Sequence, residues 1–268
     1  MLFTYARGSN RSTTVGQVSA STSGTVLTSS ASANAKGSYS QITSATPFHA
    51  AGIMVHVVKV TNNTSDYLID LAVGGSGSEQ VIINNLLHAP VGFPGSTYFF
   101  PISIPSGTRL SARLQGTAAS RQAWIFITLT NGHESYSRVA TWGADITDSS
   151  GLAIDGGGTA HTKGTYAQLT SATDFAIKKL LFVVGNQVQA SRAATNFLWD
   201  FAVDIGGNKQ IMLADIPLHN QSSGNPSPWV LGPYDVILPA ASNLYARTQS
   251  SVTATASRQF DLVAYGIG

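Results

Sequence analysis

An internal repeat constrains the fold of this 268-residue chain more than any other feature. Residues 35–48 read AKGSYSQITSATPF, and residues 162–175 read TKGTYAQLTSATDF. Chance does not give a match of this length, and further matches follow it along both copies. The sequence therefore predicts an N-terminal arm at 1–10 and two homologous domains at 11–132 and 138–268. We expect each domain to fold alone if its core is complete.

Within each copy, short apolar runs with a period of two are typical of β-strands. Clusters of Gly, Pro, Asn and Ser separate about seven such runs in each copy and supply turns. The predicted fold class is all-β, with two tandem homologous antiparallel β-sandwich domains of the jelly-roll type. A short helical turn is expected near 84–87 or 189–194. The Ser/Thr-rich stretch 12–34 is either an extended arm or a first edge strand.

The second copy is longer, because the spacing between matched residues grows from 127 to 137 along the repeat. The added residues follow its second, fourth and sixth predicted strands. Antiparallel alternation brings these three connections to one end of a sandwich. We expect a contact surface there, formed by loops near 186–196, 214–233 and 248–256, with neutral drift as the alternative.

One of these loops carries the predicted ligand-binding residues, which are Trp229, Asn225, Gln221 and Asn220. An aromatic ring among uncharged hydrogen-bonding side chains suits a sugar, since the apolar sugar face stacks while hydroxyls need donors and acceptors. The alternative is that Trp229 packs over the end of its own sandwich.

Composition excludes several function classes. Charged residues make up 10% of the chain and the net charge is +2, which argues against broad nucleic-acid binding. The absence of cysteine excludes disulfide scaffolds, thiolate metal sites and cysteine nucleophiles. No signal peptide and no membrane span is recognisable in the sequence. We therefore expect a protein that is made in a cytoplasm and does not insert into a membrane.

Two carboxylates recur in apolar strands of both copies, and both recur together with an arginine. Asp70 and Arg113 in the first copy match Asp200 and Arg247 in the second. An unpaired charge in such a strand would be costly. The sequence therefore predicts two equivalent structural ion pairs, Asp70 with Arg113 and Asp200 with Arg247.

No motif of catalysis or cofactor binding stands out. The six histidines lack metal-site spacing, and the glycine-rich run 156–164 does not have the order of a phosphate loop. Calcium near Asp145, Asp148 and Asp155 is a weaker alternative. The sequence thus predicts no catalytic residue, no metal, no cofactor and no enzyme. A polysaccharide-degrading enzyme, which would need a close carboxylate pair beside a groove, stays as an alternative.

The repeated KGSYSQITSAT motif, with PSGTRLSARLQG at 105–116 and RQAWIFI at 121–127, resembles structural proteins of tailed bacteriophages and phage-like particles. Those proteins are β-sandwich modules of head fibres, spikes, decoration or tail parts. The resemblance implies a virion structural protein on the particle surface. We expect it to form a homo-oligomer and to have capsid, portal or tail proteins as partners, with host cell-surface polysaccharide as a further partner of the elaborated end. The alternatives are a glycan-binding or polysaccharide-degrading tail component and a double jelly-roll capsid protein.

Overall fold

The computed structural model describes residues 11–16, 24–63, 65–90, 95–185, 194–220 and 228–268. Strands form almost all of its regular structure, and every pair of named strands is antiparallel. The predicted all-β fold class is confirmed. Among the described residues, no helix has the length and apolar character needed to cross a membrane.

The first half of the chain holds nine strands: β1 (Ser12–Val15), β2 (Thr25–Thr28), β3 (Ser40–Thr43), β4 (Gly52–Val60), β5 (Tyr67–Val73), β6 (Gln80–His88), β7 (Ser96–Phe100), β8 (Leu110–Gly116) and β9 (Gln122–Thr130). They form two sheets. One has the order β1-β9-β4-β7 with β2 also beside β9, and the other has the order β3-β8-β5-β6. This is the strand order of a jelly roll, in which two four-stranded antiparallel sheets pack face to face.

The second half holds ten strands: β10 (Val139–Trp142), β11 (Ala144–Asp145), β12 (Ser150–Asp155), β13 (Ala167–Thr170), β14 (Ile177–Gly185), β15 (Thr195–Ile205), β16 (Asn208–Asn220), β17 (Trp229–Leu238), β18 (Asn243–Ser250) and β19 (Gln259–Ile267). Its sheets have the orders β11-β12-β19-β14-β17, with β10 also beside β19, and β13-β18-β15-β16. Strand for strand, this repeats the order of the first half, with β11 added.

Two local expectations differ from the structure. Residues 84–87 lie inside β6 and are not a helical turn, because their backbone pairs with β5. The described part of the chain has a single helical turn, a 3-10 turn at Thr255–Ser257. Residues 189–193 of the other expected turn lie outside the described residues. The stretch 12–34 contains the edge strands β1 and β2, which both pair with β9.

Apolar side chains fill each sandwich because alternate residues of every strand point inward. In β9, for example, Ala123, Ile125, Ile127 and Leu129 are all buried. The core of the first half does not end at its own sheets. It continues into five buried residues of the second half, which are Leu181, Val183, Val263, Tyr265 and Ile267. The two halves are therefore joined by a continuous apolar core.

Candidate functional site

A buried carboxylate with three donors lies on the outer face of the β3-β8-β5-β6 sheet. Asp70 is 2% exposed and accepts hydrogen bonds from Lys36 Nζ at 2.7 Å and from Arg113 Nε at 2.8 Å. The backbone N–H of Asn85 donates to the same carboxylate at 2.9 Å. Asn85 has a left-handed φ of 51° and lies at a bulge of β6, which turns its N–H toward Asp70.

The second half repeats this cluster with nearly identical distances. Asp200, also 2% exposed, accepts from Lys163 Nζ at 2.7 Å and from Arg247 Nε at 2.8 Å. The backbone N–H of Asp215 donates to it at 3.0 Å, and Asp215 again has a positive φ of 52°. Both predicted pairs are thus in direct contact, each within a larger cluster.

Hydrogen bonds favour the ionised form of Asp200 despite its burial. Burial opposes ionisation of Asp200, but the N–H of Asp215 and the cations Lys163 and Arg247 outweigh it and hold the pKa of Asp200 below its ordinary value. Burial also opposes the charged form of Lys36 and lowers its pKa, and the Asp70 carboxylate partly offsets this effect. The clusters bury a satisfied charge, as structural ion pairs require.

The repeated Lys-Gly-x-Tyr motif explains how each cluster is assembled. Gly37 passes so close to the neighbouring strand that an added Cβ would lie 1.9 Å from the carbonyl oxygen of Thr28. This close approach lays the preceding lysine over the sheet. Two residues after the glycine, the ring of Tyr39 lies under the Arg113 guanidinium at 4.7 Å. In the second half, Tyr166 lies under Arg247 at 4.5 Å.

The lysines, the tyrosines and the bulge residues of these clusters were not predicted from the sequence. Their signal was present, because Lys36 and Lys163, and Tyr39 and Tyr166, recur at the same spacing as the motif. What the sequence did not indicate is that the motif folds onto the sheet that carries the aspartates.

Other candidate residues have structural partners. Asp155, one of the three proposed calcium ligands, accepts from Arg258 Nε at 2.7 Å and from Gln259 Nε2 at 2.8 Å. Asp145 accepts from the hydroxyl of Thr147 at 2.6 Å. Among the described residues, no group of three or more His, Asp or Glu side chains could hold a metal ion.

The bases of the three long connections of the second half meet at one end of its sandwich, which we call the loop end. Val184 of β14 pairs with Trp229, and Phe197 of β15 pairs with Ser250. Across the two sheets, the rings of Phe197 and Phe260 are in edge contact at 5.3 Å. These contacts bring β14, β15, β17, β18 and β19 together where the connections leave the sandwich.

The predicted ligand-binding residues are only partly described. Gln221 and Asn225 lie outside the described residues, and Asn220 is the last residue of β16. Trp229 begins β17, is half-buried, and packs against the core of the second half. Part of its ring is therefore accessible at the loop end.

A groove of about 460 Å³ lies beside the loop end, on the outer face of β18, β15 and β16. Its lining includes Asn196, Leu198, Pro217, His219, Gln249 and Ser251. The lining combines apolar and uncharged polar side chains. His219 Nδ1 and Asn196 Oδ1 are 2.6 Å apart, so this part of the wall is held in place.

Comparisons with known proteins find similarity among solved structures only, since no family model and no curated protein matches the chain. One similar structure is a peptide-N(4)-(N-acetyl-β-D-glucosaminyl) asparagine amidase, at 12% identity and a TM-score of 0.41, with 96% of each chain covered. Another is the CBM22-1–CBM22-2 tandem domain of Xyn10C from Paenibacillus barcinonensis, at 13% identity and a TM-score of 0.27, covering 97% of this chain and 92% of that one. A third is Broad Bean Stain Virus, at 11% identity and a TM-score of 0.30, covering 96% and 87%.

These comparisons correct one expectation. The prediction that the protein is not an enzyme is wrong on this finding, because the amidase among the similar structures is an enzyme. At 12% identity and a TM-score of 0.41 the likeness transfers no activity, ligand or residue role to this chain. The similar structures include glycan-related proteins and a virus, and that is as far as they reach.

Proposed function

We propose that this protein is a structural component of a virus particle and lies on the particle surface. The continuous apolar core between the two halves is the observation that carries the proposal. Leu181, Val183 and Tyr265 of the second half are fully buried in it. Buried apolar contact of this kind holds two sandwiches in one fixed orientation, as a load-carrying building block requires. The repeated motif that resembles phage structural proteins supports the same function.

The proposal includes an orientation on the particle. The N-terminal arm, residues 1–10, and the first half attach to capsid, portal or tail proteins, and the loop end of the second half points outward. Insertions confined to one end support this orientation, since that end varies while the rest of the fold is kept.

Electron microscopy of purified particles tests the location. We expect density for two stacked jelly rolls on the particle surface, in a copy number that follows the particle symmetry, with the loop end outermost. A protein present in infected-cell lysate but missing from purified particles would refute the virion role. Density with the loop end against the shell would refute the orientation alone.

A second function, sugar contact at the loop end, is favoured by Trp229. Trp229 is half-buried at the loop end, and at the same end the backbone N–H of Ser251 donates to the carbonyl of Asn196 at 2.9 Å. A partly accessible aromatic face and fixed amide and hydroxyl groups are the elements that bind pyranose rings.

Binding to isolated host-envelope polysaccharide tests this second function. We expect Trp229→Ala to lower binding at least tenfold, which corresponds to about 1.4 kcal/mol. Trp229→Phe keeps an aromatic ring and should retain part of the binding. Trp124→Ala removes an equally half-buried tryptophan from the first half and is the matched control. Equal binding by all three variants would exclude sugar contact through Trp229.

A further inference from the structure

The junction between the halves shows which surfaces of this fold fit each other. The first half contributes the edge formed by β6 and β7, where Leu87, Ala89 and Phe100 are fully buried. The second half contributes the outer face of β14 and β19. There the ring of Tyr265 is in edge contact with Phe100 at 5.6 Å, and Gly185 lies against Ala89 and Leu87.

Nothing in the described part of the chain covers the corresponding edge of the second half in this way. Strand pairing identifies the equivalent positions of the two halves. Leu87 pairs with Leu68, and Pro217 pairs with Leu198, the residue that matches Leu68, so Leu87 and Pro217 are equivalent. In the same way, Phe100 pairs with Ile53, as Tyr234 pairs with Leu180. The counterparts of Leu87, Ala89 and Phe100 are therefore Pro217, His219 and Tyr234. We call the edge surface these three residues together with the exposed apolar residues of the same two strands, Ile211, Met212 and Ile237.

The edge surface is unusually apolar for an exposed region. Ile237 is 82% exposed, Ile211 45% and Met212 40%, and Pro217 is exposed as well. These three large side chains are almost half of the exposed large hydrophobics in the described part of the chain. Exposed apolar residues on both strands of one edge favour a contact with another molecule.

The first half has the matching partner surface, which the described residues also leave uncovered. Met54 and Thr128 pair with each other in the first half, and their counterparts Leu181 and Tyr265 pair in the second. In the same way, His56 and Phe126 are the counterparts of the paired residues Val183 and Val263. We call the open face the set Met54, His56, Phe126 and Thr128. All four are half-buried, whereas their counterparts in the second half are fully buried at the junction.

The open face is already ordered for contact. The rings of His56 and Phe126 are stacked at 4.4 Å. The two nitrogens of His56 lie 2.8 Å from the Thr97 hydroxyl and 3.1 Å from the Thr128 hydroxyl. Side chains that are held in place before binding lose little conformational entropy when they bind.

We propose that the edge surface of one chain binds the open face of a second copy of the same chain. In this contact, two molecules pack against each other in the way that the two halves pack within one molecule. It is head-to-tail, so that every copy offers one edge surface and one open face, and it leads to a ring or a filament. The proposal goes beyond the proposed function, because it concerns the isolated chain and requires no particle.

The contact between copies differs from the junction in one respect. At the junction, Tyr265 is hydrogen-bonded to the backbone of Leu87 and Asn85. The counterparts are Thr128 and Pro217, and a proline has no N–H to donate. The contact therefore rests on apolar packing, and we expect it to be reversible and to strengthen with protein concentration. Pro217 also opposes the addition of a strand along β16.

Sedimentation velocity of the purified full chain over a concentration series tests the proposal. We expect wild-type protein to form oligomers as its concentration rises. Met212→Glu on the edge surface and Met54→Glu on the open face should each leave the protein monomeric. Ile205→Glu places the same charge on an exposed isoleucine at the β15–β16 hairpin, outside both surfaces, and should associate like wild type. Thermal melts of each variant establish that it is folded.

Mixing the two blocked variants identifies the head-to-tail arrangement. Met212→Glu protein keeps its open face and Met54→Glu protein keeps its edge surface, so the mixture should form heterodimers and nothing larger. A mixture that stays monomeric, or a wild-type chain that is monomeric throughout, would overturn the proposal. Association that persists in Met212→Glu protein would overturn it too. None of these results depends on where the protein lies in a particle.

Discussion

The hydroxyl of Tyr265, in β19, donates a hydrogen bond over 2.9 Å to the backbone carbonyl of Asn85, in β6. The same hydroxyl accepts from the backbone N–H of Leu87 at 2.7 Å. One side chain of the second half thus satisfies two backbone groups of the first half in a buried position. Burial also raises the pKa of Tyr265, so the hydroxyl stays protonated and remains a donor.

Removing this hydroxyl should destabilise the protein without disturbing the packing of the ring. We expect Tyr265→Phe to lower the free energy of unfolding by about 1–3 kcal/mol, because two buried backbone groups lose their partner. Denaturant unfolding measures the change. Tyr245→Phe, on a half-buried ring of β18, is the control and should cost less. Equal effects of the two substitutions would contradict the role of Tyr265.

The second half should be poorly soluble when it is produced alone. Residues 138–268 without the first half expose Leu181, Val183, Val263 and Ile267, which are fully buried at the junction. Contiguous exposed apolar surface promotes aggregation. The expectation that each half folds alone required a complete core, and the core of the first half extends into the second half. Light scattering at matched concentrations compares the aggregation of this fragment with that of the full chain. A monodisperse, stable fragment would contradict the prediction.

Loss of the central carboxylate of a cluster should be costly. We expect Asp200→Ala to lower the free energy of unfolding by about 3 kcal/mol, because Lys163 and Arg247 then lose their buried partner. Asp235→Ala is the matched control: Asp235 pairs with Lys179, but its side chain is 86% exposed. The control should change stability by about 1 kcal/mol or less. Urea unfolding measures the free energy of unfolding of both variants, and equal losses in the two would contradict the role of Asp200.

Acid should weaken the fold through two carboxylates, Asp155 and Asp200. In the folded protein the pKa values of Asp155 and Asp200 lie below their ordinary values. Their contribution to stability is therefore present above the unfolded-state pKa, about 3.9, and is lost as the pH falls below it. We expect the free energy of unfolding to fall with pH in this range, and to fall less steeply in Asp200→Asn protein. Asp174→Asn makes the same substitution at an exposed position and is the control.

The motif glycine of the second half should not tolerate a side chain. A Cβ at Gly164 would lie 2.3 Å from the carbonyl oxygen of Asp155, whereas at Gly158 its nearest neighbour is 3.7 Å away, at the end of Arg258. We expect Gly164→Ala to cost about 1–3 kcal/mol by overpacking. Gly158→Ala, six residues earlier in the same connection, should cost little. A melting temperature unchanged in Gly164→Ala protein would contradict this account.

Much of the candidate site was visible in the sequence because a duplicated chain marks what its fold requires. Asp70 and Asp200 recur with Arg113 and Arg247, and the structure brings each pair into contact at 2.8 Å. The lysine of each cluster recurs too, at the spacing of the motif. Its partner was not predictable, because 34 residues separate Lys36 from Asp70 and only the packing of the motif on the sheet joins them.

The sequence by itself determined the strands and their repetition, since the period-two alternation and the turn residues are local properties of the chain. It also indicated that the long connections leave one end of the sandwich, because antiparallel alternation follows from the order of the strands. Only the tertiary structure decided how the two halves meet. Equivalent strands carry Tyr265 in one half and Thr128 in the other, and both are compatible with a strand. Which of them is buried depends on which face the neighbouring half covers, and that is a long-range contact with no signature in local sequence.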